Sequence, residues 1–443
     1  MSKRVGFISL GCPKNRVDSE MMLAKLQAAG FEIIDEIDYA DIIIINTCAF
    51  IEDAKKEAIE NILEMAELKE TGVVRKIVVT GCLAERYHDE ILTDLPEVDG
   101  VVGLGANGDI VEICNRVLEG ETVDEKPEKT AMPLEGERLL TTPGFWAYLK
   151  IADGCSNNCT YCSIPSIRGP FRSRSMEGII KEAKELAEAG VKELLLIAQD
   201  TTRYGEDIYG KLMLPELLKE LVKIEKLQWI RLLYCYPDRI TDELLETMAE
   251  NEKILNYIDL PLQHADAKIL RKMNRRGNPE SLLSLVNRIR EFMPDAVIRT
   301  TFITGFPGEG DEEFENLCSF IESAKFDRLG CFTYSPEEGT FAAEFDGQVE
   351  DDVKAQRAER IMLSQFKIFE DKQKALIGTV QDVVVEGYDG YSDSYYGRTW
   401  RDAPEIDSAI KFVCPYDLDE GEMVKVEVFD TEGYDLIGEV FPE

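Results

Sequence analysis

The chain contains only two histidines, His88 and His264, among its 443 residues. A metal site built mainly from imidazole ligands is therefore excluded. No stretch approaches the roughly 18 consecutive apolar residues that a membrane helix needs. The opening residues, MSKRVGFISLGC, also lack the apolar region and small-residue cleavage site of a signal peptide. We therefore expect a soluble, cytoplasmic protein that has no membrane partner.

Basic residues are also scarce, since 50 Lys and Arg stand against 86 Asp and Glu, a formal net charge of −36. Proteins that bind nucleic acid usually carry a basic surface, so the composition weighs against an RNA or DNA partner, although a local basic groove stays open. An acidic surface attracts a basic partner over long range and speeds the encounter. The charge therefore favours a basic partner.

Cysteine, in contrast, is abundant, with 11 residues. Structural disulfides are rare in the reducing cytosol, and an odd number of cysteines cannot all pair. Clusters of cysteine in such a chain are therefore interpreted first as metal ligands or redox groups.

The length suggests about three domains, and the strand–helix pattern predicts an α/β fold. Residues 3–118 alternate buried strands with helices over 16–29, 51–68 and 84–92, which predicts an open parallel sheet covered on both faces. Residues 119–142 are charged, contain two prolines and show no periodicity, so we interpret them as a linker.

Residues 143–375 return to alternating strands and helices. Strands are predicted over 146–151, 193–197, 229–233, 258–260, 297–303 and 329–333, with helices between them, for example over 279–292. Six such units predict a partial (β/α)6 barrel, with its chemistry at the carboxyl ends of the strands. Residues 376–443 contain short β-branched strands separated by turn residues, which predicts a small antiparallel barrel of the OB type.

Three cysteines lie on one short loop directly after the first predicted barrel strand: Cys155, Cys159 and Cys162 in DGCSNNCTYCSIP. Three thiolates can hold three irons of a 4Fe-4S cube. Without a fourth cysteine nearby, one iron keeps an open site that can chelate the amino and carboxylate groups of S-adenosylmethionine (SAM). The alternatives are plain buried cysteines or a structural zinc site, which normally needs four ligands.

A second set of cysteines is spread along the first domain. Cys12, Cys48 and Cys82 follow the predicted strands VGFISL, DIIIIN and KIVVTG. Because parallel strands align their carboxyl ends, these cysteines are expected to meet at one sheet edge, where helix N-termini favour thiolates. Three ligands would again leave one iron open, here for an exogenous sulfur group. The alternative is that they are small buried hydrophobes, as we expect for the remaining cysteines, Cys114, Cys235, Cys318, Cys331 and Cys414.

The spacing CxxxCxxC, with Tyr161 before the last cysteine, resembles the motif of the radical-SAM superfamily. The later segment GFPGE, Gly305–Glu309, is similar to the strand end with which that superfamily contacts SAM, although alone it could be an ordinary strand-to-helix turn.

Nearly the whole chain closely resembles the methylthiotransferase family. The segments LGCPKNRVDSE, NTCAFIEDA, GCLAER and YSPEEGT are similar to recurring segments of that family. The resemblance implies that Cys155, Cys159 and Cys162 bind the radical-SAM 4Fe-4S cluster. It also implies an auxiliary 4Fe-4S cluster on Cys12, Cys48 and Cys82, and a C-terminal TRAM domain.

Two branches of the family differ in substrate: one methylthiolates adenosine in tRNA, the other an aspartate of a small-subunit ribosomal protein, the S-twelve protein. The C-terminal domain carries 4 Lys and Arg against 17 Asp and Glu, a net charge of −13, which suits a strongly basic protein better than RNA. The segments IPSIRGPFRSRS, SPEEGT and GRTWRDAPEID (Gly397–Asp407) also resemble the protein-modifying branch. A non-catalytic iron–sulfur carrier is a third hypothesis, but a carrier needs neither a SAM-sized barrel nor two open-site clusters.

The protein-modifying branch implies that SAM is used twice. One molecule yields a radical that takes hydrogen from the β-carbon of the target aspartate, and a second supplies the methyl group of the methylthio product. The protein positions these cofactors and excludes water. The resemblance also implies a reducing electron donor such as flavodoxin or ferredoxin.

Several further residues are candidates near these sites. Arg168, Arg172 and Arg174 follow the cysteine loop, where they would steer the anionic target or the SAM carboxylate, or else form a solvated basic face.

Two histidines and one strand end complete the candidates. His264 is expected either at the barrel mouth or as a structural histidine, and His88 on a surface helix without a role. Gln199 and Asp200 end a predicted strand and are candidates for SAM or substrate contacts.

Overall fold

Three parts follow one another along the chain: a parallel sheet, a second six-stranded parallel sheet that forms an open barrel, and a small closed barrel. A computed structural model of the chain describes residues 3–441, with the side chain of Asp38 left out. The last two residues of the predicted C-terminal domain, 442 and 443, lie outside this range.

The N-terminal part is a parallel sheet with helices on both faces. Its strand order is β2-β1-β3-β4-β5-β6. Its strands are β1 Lys3–Ser9, β2 Phe31–Ile34, β3 Ile42–Thr47, β4 Ile77–Gly81, β5 Gly100–Val102 and β6 Val123–Glu125, and its helices are α1 Pro13–Ala28, α2 Glu52–Glu70, α3 Cys82–Arg86, α4 His88–Asp94 and α5 Ile110–Leu118. Every residue of β3 is buried, as a run of isoleucines covered on both faces requires.

The segment expected to be a linker, 119–142, is not one throughout. Its residues Val123–Glu125 form β6, which pairs in parallel with β5 and extends the sheet by one edge strand. Only Val123 of this strand is fully buried. A strand of three residues is too short to show the alternation of apolar and polar residues from which a strand is predicted. Farther along, the side chain of Arg138 is buried between Glu20 and Glu182, which fastens the segment to its neighbours.

The central part is an open barrel of six parallel strands in the order β14-β13-β12-β11-β10-β7, together with a small two-stranded ribbon, β8-β9. The strands are β7 Trp146–Lys150, β8 Ala152–Asp153, β9 Arg172–Ser173, β10 Glu193–Ile197, β11 Trp229–Leu232, β12 Ile254–Asp259, β13 Val297–Thr304 and β14 Arg328–Thr333. The helices are α6 Ile164–Arg168, α7 Met176–Glu188, α8 Glu206–Tyr209, α9 Leu214–Leu221, α10 Asp242–Ala249, α11 Ala267–Lys272, α12 Pro279–Phe292, α13 Asp311–Ala324 and α14 Asp351–Lys374. The predicted partial barrel is therefore confirmed.

The C-terminal part is a closed five-stranded barrel, β15-β16-β17-β19-β18. Its strands are β15 Val380–Asp389, β16 Ser394–Thr399, β17 Ile410–Val413, β18 Met423–Glu432 and β19 Asp435–Val440. Neighbouring strands are antiparallel except for β17 and β19, which pair in parallel and close the barrel.

One hydrophobic cluster joins all three parts. It combines Met21 of α1, Trp146 and Tyr257 of the central barrel and Ala403 of the β16–β17 loop. This loop therefore packs against side chains of the barrel strands, while α1 brings the N-terminal sheet to the same place. Within residues 3–441, no helix is long and apolar enough to cross a membrane.

Candidate functional site

The loop that carries Cys155, Cys159 and Cys162 lies beyond the carboxyl end of β7, as predicted. It is tied to the end of α11, because the backbone N–H of Thr160 donates to the carbonyl of Met273 at 3.1 Å. This backbone bond fixes the middle of the loop, so the three thiols hold defined positions.

The start of this loop requires glycine. Gly154 has φ of +75°, a left-handed conformation that other residues adopt only at a cost. A side chain at this position would also collide with the carbonyl oxygen of Pro170. The backbone can therefore turn from β8 into the cysteine loop only because no β-carbon is present.

Asp200, at the end of the strand β10, positions the loop. Its Oδ2 atom accepts hydrogen bonds from the Asn157 side chain at 2.9 Å and from Arg239 at 3.1 Å. The neighbouring Gln199 donates to Asp153 at 3.3 Å, but its buried Oε1 atom has no hydrogen-bond partner within residues 3–441. A buried acceptor without a partner is unusual and suits a ligand that donates a hydrogen bond.

The three loop thiols are held in a partly buried setting. Burial raises the pKa of Cys155 to about 11 and that of Cys162 to about 12. A guanidinium nitrogen of Arg275 lies 3.8 Å from the sulfur of Cys159. Iron binding would replace the thiol protons, and Arg275 would offset part of the resulting negative charge. The donor set therefore fits a cluster held by cysteine thiolates.

The second cysteine set lies at one edge of the N-terminal sheet. Cys12 caps the start of α1, Cys48 directly follows β3 and Cys82 begins α3 directly after β4. Because β1, β3 and β4 are neighbours in the sheet, the prediction that these strand ends lie side by side is confirmed. A β-carbon added to Gly11 would lie 2.9 Å from the Cys48 sulfur, so the Cys12 loop packs directly against Cys48.

Asn15 fastens the two cysteine-bearing loops together. Its buried side-chain amide donates to the carbonyl of Leu10 at 2.7 Å and to that of Thr47 at 3.2 Å. Burial raises the pKa of Cys48, and raises that of Cys82 to about 12. Burial therefore outweighs the expected preference of helix N-termini for thiolates, and metal binding is the step that would remove these protons.

Arg168 connects the two cysteine sets. It is almost completely buried, and its guanidinium contacts Asp153 at 2.8 Å and Asp18 of α1 at 2.9 Å. Lys150 pairs with the same two carboxylates. Arg168 also lies close enough to Cys82 to lower the pKa of that thiol against the effect of burial. A single buried ion network thus joins the barrel to the cysteine edge of the sheet.

The structure does not show the solvated basic face that was one of the two alternatives for Arg168, Arg172 and Arg174, since Arg168 and Arg174 are buried. Arg174 is buried, pairs with Glu182 at 2.6 Å and donates to the carbonyl of Lys150. Arg172 donates to the carbonyl of Thr130 at 2.6 Å. These arginines, like Arg168, hold segments together, because each finds a carboxylate or carbonyl that is distant in sequence.

The structure distinguishes between the two interpretations of His264. This residue is fully buried, its Nδ1 atom accepts from the Asp266 backbone at 3.0 Å and its Nε2 atom contacts Glu309 at 3.1 Å. Glu309 in turn accepts from the backbone of Gly305 at 2.9 Å. His264 is therefore a structural histidine that holds the GFPGE segment, and it does not face the barrel mouth.

The helix α4 that His88 begins does lie at the surface, with Asp89, Glu90, Thr93 and Asp94 exposed, but the His88 side chain itself is buried. This side chain is only 3% exposed, and Nε2 contacts Asp124 at 2.7 Å. The unforeseen strand β6 carries Asp124 and covers this end of α4.

No single-ion metal site competes with the cluster interpretation. Within residues 3–441, no three His, Cys, Asp or Glu side chains converge on a point that could hold one metal ion. A structural zinc would require such convergence of four ligands. A cube holds each thiolate on a separate iron and so requires the sulfurs to surround a larger volume.

A cavity of about 350 Å³ lies where the three parts of the chain meet. The N-terminal sheet contributes Cys12 and Arg16, the barrel contributes Tyr234, Asp259 and Arg299, and the β16–β17 loop contributes Glu405, among other residues. The cavity therefore brings a cysteine of the second set against the interior of the barrel.

Sequence reasoning missed the polar residues of α1 that build this junction. Lys14, Asn15, Asp18, Ser19 and Glu20 are all buried. The segment LGCPKNRVDSE contained a signal for this junction, because it places several polar residues close together beside a cysteine. Such residues can all be buried only where a second domain covers the helix.

Three family models match the chain in order. They describe the uncharacterized protein family UPF0004 over residues 4–103, the radical SAM superfamily over residues 149–321 and the TRAM domain over residues 377–441.

Curated relatives match over the full length. The ribosomal protein uS12 methylthiotransferase RimO of Thermoanaerobacter sp. (strain X514) is 49% identical over 99% of this chain and 100% of its own length. The protein of the same name from Clostridioides difficile (strain 630) is 46% identical over 99% of both chains.

Solved structures share the fold at low sequence identity. The radical S-adenosylmethionine methyltransferase TsrM from Kitasatospora setae, with cobalamin and a 4Fe-4S cluster bound, matches with a TM-score of 0.53 at 15% identity over 75% of each chain. The cobalamin-dependent radical enzyme OxsB matches with a TM-score of 0.52 over 84% of this chain and 56% of its own. Given its full-length relatives, the chain belongs to the RimO family of radical SAM methylthiotransferases.

Proposed function

We propose that this enzyme methylthiolates the β-carbon of an aspartate in ribosomal protein uS12, using SAM both to generate the radical and to supply the methyl group. Support comes from its RimO relatives, whose name gives uS12 as their substrate. Because that substrate is a ribosomal protein, we place the reaction in the cytoplasm.

The observation that carries the proposal is that one chain holds two three-thiol sets, one on the loop after the first barrel strand and one at the sheet edge, with the buried ion network of Arg168 between the barrel and that edge. Cys155, Cys159 and Cys162 would hold the radical-SAM 4Fe-4S cluster, and Cys12, Cys48 and Cys82 an auxiliary 4Fe-4S cluster. When bound, the first supplies the electron that cleaves SAM and the second delivers sulfur. A reaction that needs both hydrogen abstraction and sulfur insertion at one carbon requires two such sites that face one substrate.

The chain's own residues would position these groups. Asp200 and the bond from Thr160 fix the loop of the first set, and Arg275 supplies positive charge beside Cys159. The open acceptor of Gln199 suits the amino group of SAM, and the GFPGE segment, held by His264, would contact SAM as its family resemblance implies.

Charge favours a basic protein over tRNA as the substrate. The closed C-terminal barrel belongs to the part of the chain that carries a net charge of −13. Phosphate neutralisation supplies most of the affinity of nucleic-acid-binding domains, and this barrel has too few cations for that purpose. A small reducing protein such as flavodoxin or ferredoxin would deliver the electrons.

The proposal is tested with the anaerobically reconstituted enzyme, SAM, a reductant and either uS12 or bulk tRNA. We expect 5′-deoxyadenosine together with methylthio-aspartate in uS12, detected by mass spectrometry, and no change in tRNA. Cys155→Ala should abolish both products. Methylthio-adenosine in tRNA would indicate the other branch of the family, and no SAM cleavage at all would indicate a carrier.

A further inference from the structure

The densest concentration of positive charge in this acidic chain lies beside the loop of the first cysteine set. Residues 271–276, RKMNRR, contain four cations and no carboxylate, and no other six consecutive residues of the chain hold as many cations. This basic segment begins in the last turn of α11 and ends before α12. Because the chain as a whole carries a charge of −36, the local reversal of charge does not follow from composition.

The carboxylates of the chain leave the basic segment almost unpaired. Elsewhere, exposed lysines pair with neighbouring acids, as Lys223 does with Glu220 at 2.6 Å. Within residues 3–441, the one carboxylate closer than 4.0 Å to any cation of the basic segment belongs to Asp238, 3.8 Å from Arg276. Arg271 is exposed, and the Arg276 side chain is 90% exposed. The basic segment therefore presents its charge to solvent.

Hydrogen bonds hold the basic segment against the cysteine loop. The side-chain amide of Asn274 donates to the carbonyl of Asn158 at 2.9 Å. The Thr160 hydroxyl donates to the carbonyl of Lys272 at 2.8 Å. Since Asn158 and Thr160 flank a cysteine of the first set, the exposed cations lie on the outer side of the cluster site.

Arg275 connects this surface to the cluster site itself. It is buried, and one guanidinium nitrogen lies 3.8 Å from the sulfur of Cys159. The next residue, Arg276, faces solvent. An electron carrier bound at Arg276 would therefore be separated from a cluster ligand by little more than one residue, and electron transfer between proteins requires such a short path.

A groove of about 370 Å³ adjoins the basic segment. Its lining includes Arg276, Arg288 and the acid Asp238, together with apolar side chains such as Ile240 and Leu282. Arginine combined with apolar side chains is typical of protein interfaces, whereas most contacts to nucleic acids are made to phosphates and sugars. The groove therefore favours a protein over RNA as the occupant of this surface.

We propose that the basic segment and this groove form the docking surface for a small acidic electron-transfer protein. The inference deepens the proposed function, in which a reducing protein delivers the electrons, by assigning its binding surface. One electron passes from the reduced carrier to the cluster held by the first cysteine set, and no bond forms or breaks. Opposite charges speed the encounter and orient the two proteins, and a transient redox contact needs only a small interface.

The test measures the affinity of the oxidised holoenzyme, without SAM, for flavodoxin and separately for ferredoxin by isothermal titration calorimetry. The variant that combines Arg271→Glu with Arg276→Glu should bind the carrier at least about 10-fold more weakly at low ionic strength, because like charges then face each other. In 1 M salt, where the Debye length is about 3 Å, the difference should shrink. Combining Arg271→Lys with Arg276→Lys keeps the charge and should preserve binding.

The matched control combines Lys223→Glu with Lys226→Glu. It makes the same change in net charge on exposed residues just before β11, at the end of the barrel opposite the cysteine loop. We expect it to bind the carrier like the wild type. Reduction of the cluster by the reduced carrier, followed by visible absorbance, should slow only in the Arg271→Glu, Arg276→Glu enzyme. Formation of 5′-deoxyadenosine with dithionite as the reductant should be equal in all of them.

Several outcomes would overturn the inference. They are an Arg271→Glu, Arg276→Glu enzyme that binds both carriers as the wild type does, an equal loss in the lysine control, and a variant that loses only its binding to ribosomal subunits, which would indicate RNA. Wild-type binding that is absent for both carriers or insensitive to salt would overturn it without any variant. A wild-type enzyme that accepts electrons and cleaves SAM but leaves uS12 unmodified would instead refute the proposed target and leave this inference standing.

Discussion

Replacing Arg168 with methionine should destabilise the enzyme by disrupting the ion network between the sheet and the barrel. Arg168 is 1% exposed and contacts Asp18 at 2.9 Å and Asp153 at 2.8 Å. Among the described residues, the variant leaves Lys150 as the one cation within 4.0 Å of these two carboxylates, so one buried negative charge loses its ion pair. Removing one member of a buried ion pair typically costs about 3–5 kcal/mol.

This loss is a large fraction of the roughly 5–15 kcal/mol by which a folded domain is stable. With a urea dependence of about 3 kcal/mol per M, it should lower the urea midpoint by about 1–1.7 M. The midpoint is followed by far-UV circular dichroism on anaerobically reconstituted enzyme. Arg75→Met is the matched control, because the Arg75 side chain is 71% exposed and its ion pair is with Asp41, so the change should cost at most about 1 kcal/mol.

A second variant identifies the cause. If uncompensated charge produces the loss, adding Asp18→Asn to Arg168→Met should restore part of the midpoint, because only one carboxylate then remains for Lys150. An Arg168→Met midpoint equal to that of Arg75→Met would refute the reasoning. A double variant less stable than the sum of its single changes would refute it as well.

Three further variants test other parts of the structure. Cys12→Ala should leave SAM cleavage intact but abolish methylthiolation, and normal sulfur transfer by this variant would exclude the auxiliary-cluster assignment. Burial alone would raise the pKa of Glu193, but Arg398 and a second buried arginine lower it, so this carboxylate stabilises the contact between the two barrels above about pH 4.5 and loses that effect as the pH falls further. Glu193→Gln should therefore weaken the fall in the urea midpoint between about pH 5 and pH 3, and an unchanged pH profile would contradict this. Gly154→Ala should reduce bound iron and cost at least about 1–3 kcal/mol, whereas Gly144→Ala, which has open space around it, should retain wild-type iron content.

The long elements of the fold could be predicted because their local signals are strong. The helix predicted over 279–292 is exact, since Pro279 begins it and the Asn278 side chain caps it. Short strands gave no such signal: β2 and β6 at the edges of the N-terminal sheet, β5 inside that sheet and β16 in the closed barrel were missed. The helix predicted over 84–92 is instead two helices, because the backbone leaves the helical conformation at Tyr87. The parallel pairing of β17 with β19 depends on tertiary closure, which no local pattern encodes.

The residues of the candidate site also include some that could be predicted from the sequence and some that could not. The six cysteines were found because spacing marks one set and the ends of parallel strands mark the other. Arg168 could not be placed, since its partner Asp18 lies 150 residues away in the sequence. Lys14 was missed for a related reason: its burial depends on the contact between α1 and the barrel, and an isolated helix would expose it.

The most direct test of the central claim is mass spectrometry of ribosomal protein uS12 and of bulk tRNA from a strain that lacks this gene. The account predicts loss of methylthio-aspartate from uS12, its return when the gene is restored, and unchanged methylthio-adenosine in tRNA. Intact methylthio-aspartate together with loss of methylthio-adenosine would contradict the account.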